Sequence, residues 1–172
     1  SIKALPADGV AVYPADDACA PIWEKASEHC RRRTYATQPG VSADLTAEVM
    51  TLGGTTEVRI HAAEGSAMTR LDIGGAHNGH NAAAAAAAAF SAGVKFDAVI
   101  QGLQAFKPVA RRGVRHQLRP ELLLIDDTYN ANPDSMRAGI DVLTSSRGPL
   151  VLIAGDMGEV GTRGAEFHQE IG

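Results

Sequence analysis

The chain has 172 residues, of which 45% are hydrophobic and 21% charged, and its formal net charge is −4. This acidic balance argues against nonspecific nucleic-acid binding, and no apolar stretch approaches the ~20 residues of a membrane span. The first residues lack the apolar segment of a secretory signal. Two cysteines without a C-x-x-C spacing predict free thiols in a reducing cytoplasm.

The first part of the chain alternates strand and helix signals. Apolar runs predict short strands over 10–13 and 34–36, with a helix over about 18–29 between them. Over 43–73 the period of the apolar residues changes to two, and glycines separate the runs. This pattern predicts an antiparallel meander with one solvent-exposed face.

Two helices are predicted next. Asn78 or Asn81 is expected to cap a helix that runs through the alanines at 82–89. Alanine is the best helix former, and its small side chain lets another element pack closely. A second helix follows, since apolar residues recur at helical spacing over 96–103.

The pattern changes at Lys107-Pro108-Val109, which predicts two domains, 1–110 and 111–172. Continuous apolar runs at 122–125 and 150–153 predict strands buried on both faces, each followed by a helical pattern. The predicted fold class is α/β, with a βαβα unit that opens a parallel, doubly wound sheet. Two parallel strands do not make a stable covered sheet alone, so we expect the chain to be a fragment of a longer polypeptide.

Acidic residues follow both predicted strands. Asp126 and Asp127 follow the first strand, and Asp156 and Glu159 follow the second. A right-handed crossover would bring these ends to one edge of the sheet, where carboxylates accept ribose hydroxyls, bind magnesium or orient an ammonium group. Capping of the following helices is the alternative role. Polar side chains next to the first strand end are Tyr129, Asn130 and Asn132, the last of which also fits the N-cap before Pro133.

Residues 74–81 form the other dense polar segment. A metal site at His77 and His80 is not expected, because no third ligand stands at a recognisable spacing. The segment is better suited to a loop that leads into a helix N-terminus and presents backbone N–H groups to a ligand. Asn81 has the donor and acceptor to contact an adenine edge, with plain capping as the alternative. Arg112, at the domain boundary, is placed to reach a phosphate when two domains close.

Several segments resemble motifs of the Mur ligase family. Residues 75–82, Gly-Ala-His-Asn-Gly-His-Asn-Ala, are similar to its G-x-H-N-x-x-N-A motif, and 107–112 to its hinge segment. Residues 124–136 and 155–159, with His168 downstream, are similar to the start of the C-terminal domain of one member. The resemblance covers the chain in order, from the late central domain to the early C-terminal domain.

The resemblance implies an ATP-dependent ligase that joins D-alanyl-D-alanine to a UDP-N-acetylmuramoyl-tripeptide through an acyl phosphate, in cytoplasmic peptidoglycan synthesis. It makes 1–110 the late part of the central ATPase domain and 111–172 the early part of a Rossmann-like C-terminal domain. The complete enzyme is expected to be a monomer that uses ATP and Mg²⁺. The phosphate loop and metal ligands of the family are expected upstream of this chain, so the fragment is predicted to be inactive and to hold no metal ligand.

The resemblance also implies roles for individual residues. Asn81 would contact adenine, and Arg112 would be the catalytic residue that reaches the ATP phosphates across the hinge. Asp127 would hold the ribose hydroxyls, with Tyr129 beside the base. The remaining positions, which shape the loop or lie near the incoming dipeptide, are Asn130, Asn132, Asp156 and Glu159.

The sequence departs from the family pattern in two places, and other interpretations stay open. Arg111 stands where the family has Gly, and Gly79-His80 replaces aliphatic and small residues. Another Mur or folylpolyglutamate-type ligase is one alternative, against which the segment 126–136 argues. A non-catalytic nucleotide-binding or interaction module is the other. A nicotinamide-dependent oxidoreductase is not expected, because the sequence has no G-x-G-x-x-G motif.

Overall fold

The computed structural model describes residues 2–52, 54–158 and 160–172. Seven strands and five α-helices follow one another in this part of the chain, with short 3-10 turns at Ile2–Ala4 and Gly161–Arg163. In chain order the elements are β1 (Val10–Pro14), α1 (Ala20–Ala26), β2 (Arg31–Ala36), β3 (Leu45–Leu52), β4 (Thr55–Ala62), β5 (Gly65–Leu71), α2 (Ala76–Ser91), α3 (Phe96–Gln104), β6 (Val114–Arg119), β7 (Leu122–Asp126), α4 (Pro133–Thr144) and α5 (Gly164–Ile171).

Strands β1 to β5 form one sheet, in the order of the sequence. β1, β2 and β3 run parallel, whereas β3, β4 and β5 pair antiparallel. The predicted meander is thus confirmed, with Val58 of β4 between Val49 and Thr69. In the same sheet, β2 pairs with β3 through only two residues, Tyr35 and Ala36. The sequence has no signal for so short a pairing.

Helices α2 and α3 pack on one face of this sheet. Side chains of β3 and β4 alternate between that face and solvent, and Leu45, Val58 and Ile60 are each 0% exposed. They belong to one hydrophobic cluster with α2, in which three alanines also have 0% exposure. The alanine run packs on the meander, and its small side chains bring α2 close to the sheet, as the sequence indicated.

Helix α2 begins earlier than the sequence predicted. Its N-cap is Gly75, with a φ of 108°, and no side chain caps it. Because glycine adopts this left-handed backbone freely, the chain turns sharply into the helix at this point. Asn78 and Asn81 lie inside the helix, so the prediction that one of them caps it is wrong. The Asn78 side chain instead donates to the Gly74 carbonyl oxygen at 2.8 Å.

The C-terminal part of the chain is built from a hairpin and two helices. β6 pairs antiparallel with β7. Helix α4 begins at Pro133 behind the N-cap Asn132, as predicted. Asn132 Oδ1 accepts the Ser135 N–H at 2.8 Å, and Ser135 Oγ accepts the Asn132 N–H at 2.9 Å, which makes a reciprocal capping box.

The predicted strand at 150–153 is wrong. The structure assigns no strand to this segment, and Val151 and Ile153 are 77% and 89% exposed. A parallel strand buried on both faces needs a neighbouring strand and covering helices, and no described strand pairs with these residues. β7 finds its partner in β6 through a tight turn, which antiparallel pairing allows and parallel pairing does not. The mixed α/β class is confirmed, but the observed order here is two strands, α4, an irregular segment and α5.

Both cysteines are free thiols, Cys19 exposed and Cys30 partly exposed, as the sequence predicted. None of the described helices has the length and apolar character that a membrane crossing requires.

Candidate functional site

The loop that leads into α2 is held by a buried threonine. Thr56 of β4 is 0% exposed, and its Oγ1 donates to the carbonyl oxygens of Ile73 at 2.8 Å and Gly75 at 3.3 Å. The first backbone N–H groups of a helix have no partner one turn before them, and in α2 the Asn78 N–H donates to the Gly75 carbonyl oxygen at 3.0 Å. The loop therefore fixes where these donors lie.

His77 and Asn78 form a defined network on the first turn of α2. Since the Gly74 carbonyl oxygen only accepts hydrogen bonds, the Asn78 atom 2.8 Å from it is Nδ2, which also lies 3.0 Å from His77 Nε2. Nε2 is therefore an acceptor, and Asn78 Oδ1 is left for another donor. Burial lowers the pKa of His77, and the Asp127 carboxylate opposes this shift. The sequence contained both residues in its polar motif, but their mutual contact depends on ring and amide orientation.

Three contacts join the hinge segment to the loop after β7. The Gly113 N–H donates to Asp127 Oδ1 at 3.0 Å, and the Tyr129 N–H donates to the Arg111 carbonyl oxygen at 3.0 Å. The Arg112 guanidinium carbon lies 4.0 Å from the centroid of the Tyr129 ring, a cation–π geometry. The structure thus brings Arg112, Asp127 and Tyr129 together.

Arg111 holds an unusual backbone conformation at this hinge. Its φ is 66°, the left-handed region in which side chains with a Cβ are strained. This is the position at which the resemblance expected glycine. Arg111 therefore adopts the backbone conformation that a glycine would favour at this turn.

The hinge and α4 lie against the start of α2. A Cβ added to Gly75 would lie 3.0 Å from Val142 Cγ2 of α4, and one added to Gly113 would lie 3.7 Å from Ile73 Cδ1. The Asp127 carboxylate, which opposes the lowering of the His77 pKa, belongs to the same region. The start of α2 and the loop after β7 therefore border one exposed region.

Other predicted site residues have local partners or lie elsewhere. Asn81 is exposed within α2. Asn130 Oδ1 accepts the Ala131 N–H at 2.9 Å, and Asn132 caps α4. Asp126 Oδ1 accepts the Thr128 hydroxyl at 2.7 Å, which lowers the pKa of that carboxyl group.

The acidic residues after 150–153 are not brought to a shared sheet edge. Because that segment is not a strand, the predicted juxtaposition of Asp156 with Asp127 through sheet pairing is wrong. Asp156 lies instead near His168 of α5, with Oδ1 3.8 Å from Nε2. Glu159 lies outside the described residues.

The residues gathered at this region suit a nucleoside better than a metal ion. They offer helix N–H donors, a carboxylate, an aromatic ring and a guanidinium group, which together match a base, a sugar and a phosphate. In the described part of the chain, no three His, Cys, Asp or Glu residues are grouped so that they could hold a metal ion.

Residues 111–172 match the family described as "Mur ligase, glutamate ligase domain". This segment carries the hinge arginines and the loop with Asp127 and Tyr129. Through these residues the chain is similar to the Mur ligase family, as its motifs indicated.

Within that family, the likeness over the whole chain is to UDP-N-acetylmuramoyl-tripeptide–D-alanyl-D-alanine ligases. The Escherichia coli (strain K12) protein of that name is 36% identical over 170 residues, which are 98% of this chain and 37% of the relative. MurF from Acinetobacter baumannii superposes with a TM-score of 0.88 at 34% identity, covering 97% of this chain and 36% of that chain. MurF from Thermotoga maritima, solved in complex with ADP, has a TM-score of 0.81 at 25% identity, covering 99% and 38%. This chain therefore spans a little over a third of the length of these relatives.

Proposed function

We propose that this chain forms the nucleotide-binding face and hinge of an ATP-dependent ligase that joins D-alanyl-D-alanine to a UDP-N-acetylmuramoyl-tripeptide in peptidoglycan synthesis. The observation that carries this proposal is the cluster of Arg112, Asp127 and Tyr129 next to the start of α2. The similarity to ligases of that name supports the choice of substrates. A monomer in the cytoplasm fits the acidic charge and the free thiols.

ATP supplies the energy of the reaction by transferring its γ-phosphoryl group to the tripeptide carboxylate, so that the dipeptide amine can displace phosphate and form the amide bond. The residues of this chain bind and orient the nucleotide. The N-terminal turn of α2, with Asn81, would contact the adenine. Asp127 would accept the ribose hydroxyls, and Tyr129 would lie beside the base.

Arg112 would act on the phosphates. Its guanidinium group now lies on the Tyr129 ring, 4.0 Å from the centroid. A planar guanidinium can leave an aromatic face for a phosphate, because the bidentate charged contact is the stronger one. Asp156 and Glu159 would have weaker roles near the incoming dipeptide. No described cluster suits Mg²⁺, so its ligands are expected outside these residues.

Two parallel assays test the proposal. The complete ligase and this chain are each given ATP, Mg²⁺, the UDP-linked tripeptide and D-alanyl-D-alanine, and phosphate release is measured. We expect release from the complete ligase only, and only with the dipeptide present. The sequence has no G-x-x-x-x-G-K-[ST] phosphate loop to cradle the β- and γ-phosphates.

Other outcomes separate the alternatives. Release that depends on glutamate instead of the dipeptide would favour a folylpolyglutamate-type ligase. Nucleotide binding without any phosphate release from the complete protein would favour a non-catalytic module.

A further inference from the structure

The irregular segment before α5 is fixed at a single buried side chain. Residues 151–156 and Gly158 are exposed, whereas Met157 is only 5% exposed. It is the one buried residue among those described after position 110. A contact must therefore hold the loop at Met157, although no strand or helix includes it.

The backbone of Met157 is bonded to His168 on α5. His168 Nδ1 lies 2.7 Å from the Gly164 carbonyl oxygen, and because a carbonyl only accepts, Nδ1 carries a proton. Nε2 lies 3.1 Å from the Met157 backbone nitrogen, whose N–H only donates. Nε2 is therefore the acceptor, and the ring is the neutral Nδ1–H tautomer with both nitrogens bonded.

With this tautomer, the Asp156 carboxylate accepts no hydrogen bond from His168. Its Oδ1 is 3.8 Å from His168 Nε2, which is beyond hydrogen-bond distance, and Nε2 has no proton to donate. The Asp156 side chain is fully exposed. The ring thus fixes the backbone next to Asp156 and leaves the carboxylate available for a ligand.

We infer that His168 is a positioning residue that ties the loop 155–158 to α5 and so holds the Asp156 carboxylate where a cationic amine can meet it. The substrate part of this inference rests on the proposed ligase function, in which the amine belongs to the dipeptide. The anchoring part rests on the two hydrogen bonds of His168 alone.

Two substitutions separate the hydrogen bonds from the bulk of the ring. His168→Gln keeps one donor and one acceptor on the side chain, whereas His168→Phe keeps an aromatic ring without either. Amide exchange of the Met157 N–H is measured by NMR in the full 172-residue chain. We expect exchange to be about three- to tenfold faster in the Phe variant and close to the original rate in the Gln variant, as loss of one hydrogen bond predicts. The amide of Val58, in the buried sheet, is the control and should not change.

The same variants in the complete ligase test the substrate part. His168→Phe should raise the KM for D-alanyl-D-alanine about tenfold and leave the KM for ATP within about twofold, with rescue by His168→Gln. A purely structural role would lower the melting temperature and change both KM values together.

Unchanged exchange at Met157 in the Phe variant would overturn the anchoring role. Faster exchange with an unchanged KM for the dipeptide would overturn the role in presenting Asp156. If the unsubstituted ligase has no dipeptide-dependent activity, the proposed function fails together with the substrate part. Exchange at Met157 then still decides the anchoring.

Discussion

Asp127 has both a structural contact and a predicted binding role, and two substitutions separate them. Its Oδ1 accepts the Gly113 N–H at 3.0 Å, and the side chain is otherwise exposed. In the complete ligase, Asp127→Ala should raise the KM for ATP about tenfold with a smaller effect on kcat, since a charged hydrogen bond to ribose contributes about 1.5–3 kcal/mol in the ground state. Asp127→Asn keeps an acceptor for Gly113. It should retain the melting temperature and still bind ATP less tightly.

Arg112 should affect the chemical step rather than binding. Arg112→Ala is expected to lower kcat by about a hundredfold, which is typical for loss of a group that stabilises developing phosphoryl charge. Arg111→Ala is the matched control, because it removes the neighbouring guanidinium group. If the Arg111 variant loses activity and the Arg112 variant keeps it, the two arginines have exchanged roles. If neither substitution changes kcat, the hinge does not contact the phosphates.

The backbone of Arg111 predicts a stabilising substitution. Its φ of 66° destabilises the folded state by about 1–2 kcal/mol for a residue with a Cβ. Glycine adopts this φ without strain but loses more conformational entropy on folding. Arg111→Gly should therefore raise the free energy of unfolding by about 0.5–1 kcal/mol. Urea denaturation measures this change. Arg147→Gly, at an exposed position outside the left-handed region, should not stabilise the chain.

Helix α2 approaches the sheet too closely for a side chain at Gly79. A Cβ there would lie 2.3 Å and 2.6 Å from the two methyl carbons of Val49, so Val49 already fills the space that a side chain at this position would need. Gly79→Ala gains about 1 kcal/mol of helix propensity but overpacks the core, and we expect a net loss of about 1–2 kcal/mol.

The matched control for this prediction is Gly102 of α3. Nothing lies within 4 Å of a Cβ at that position. Gly102→Ala should therefore stabilise the chain by about 0.5–1 kcal/mol through helix propensity alone. Thermal unfolding of both variants measures the difference, and equal effects of the two substitutions would show that α2 does not contact Val49 as described.

Elements with their own alternating or helical pattern could be predicted from the sequence, whereas elements that depend on a partner could not. In the meander and in α3 the apolar residues recur with a clear period, so the sequence indicates which face of each element is buried. The run at 150–153 is as apolar as a buried strand, but an apolar segment forms a strand only where a neighbouring strand is present to pair with it. β6 has only a weak alternation, Val-Arg-His-Gln-Leu, and its strand is set by pairing with β7.

The candidate site follows the same division. Arg112, Asp127 and Tyr129 lie close together because the hinge leads directly into the β6–β7 hairpin, whose first strand the sequence did not predict. The contacts of His77 with Asn78 and of His168 with Met157 depend on which ring nitrogen carries the proton. That is set by carbonyl oxygens brought near by folding, and the sequence has no signal for it.

At the scale of the whole molecule, exposed apolar side chains concentrate in the C-terminal part. They range from 36% to 89% exposed, and the members of this apolar surface are Leu118, Leu122, Leu123, Leu124, Leu150, Val151, Leu152 and Ile153. A high density of exposed aliphatic side chains on a single chain favours association. We expect the 172-residue chain to self-associate in a concentration-dependent way when it is studied alone.

Paired lysine substitutions test this expectation by sedimentation velocity. Val151→Lys combined with Ile153→Lys should weaken association by about tenfold or more, because each buried aliphatic side chain contributes roughly 1.5–3 kcal/mol. Ile22→Lys, at an exposed position in α1, is the control and should leave association unchanged. A chain that stays monomeric at high concentration would contradict the prediction.

The change from parallel to antiparallel pairing at β3 sets an order in which the sheet can form. β3, β4 and β5 follow one another after connections of two residues, so their contacts close short loops and cost little entropy. β1 and β2 run parallel and can pair only after the chain has crossed over through α1. The meander and the alanine helix that covers it can therefore assemble first and serve as the template on which β2, and then β1, are added. The N-terminal strands, although they come first in the sequence, would be the last part of this sheet to fold and the first to fray.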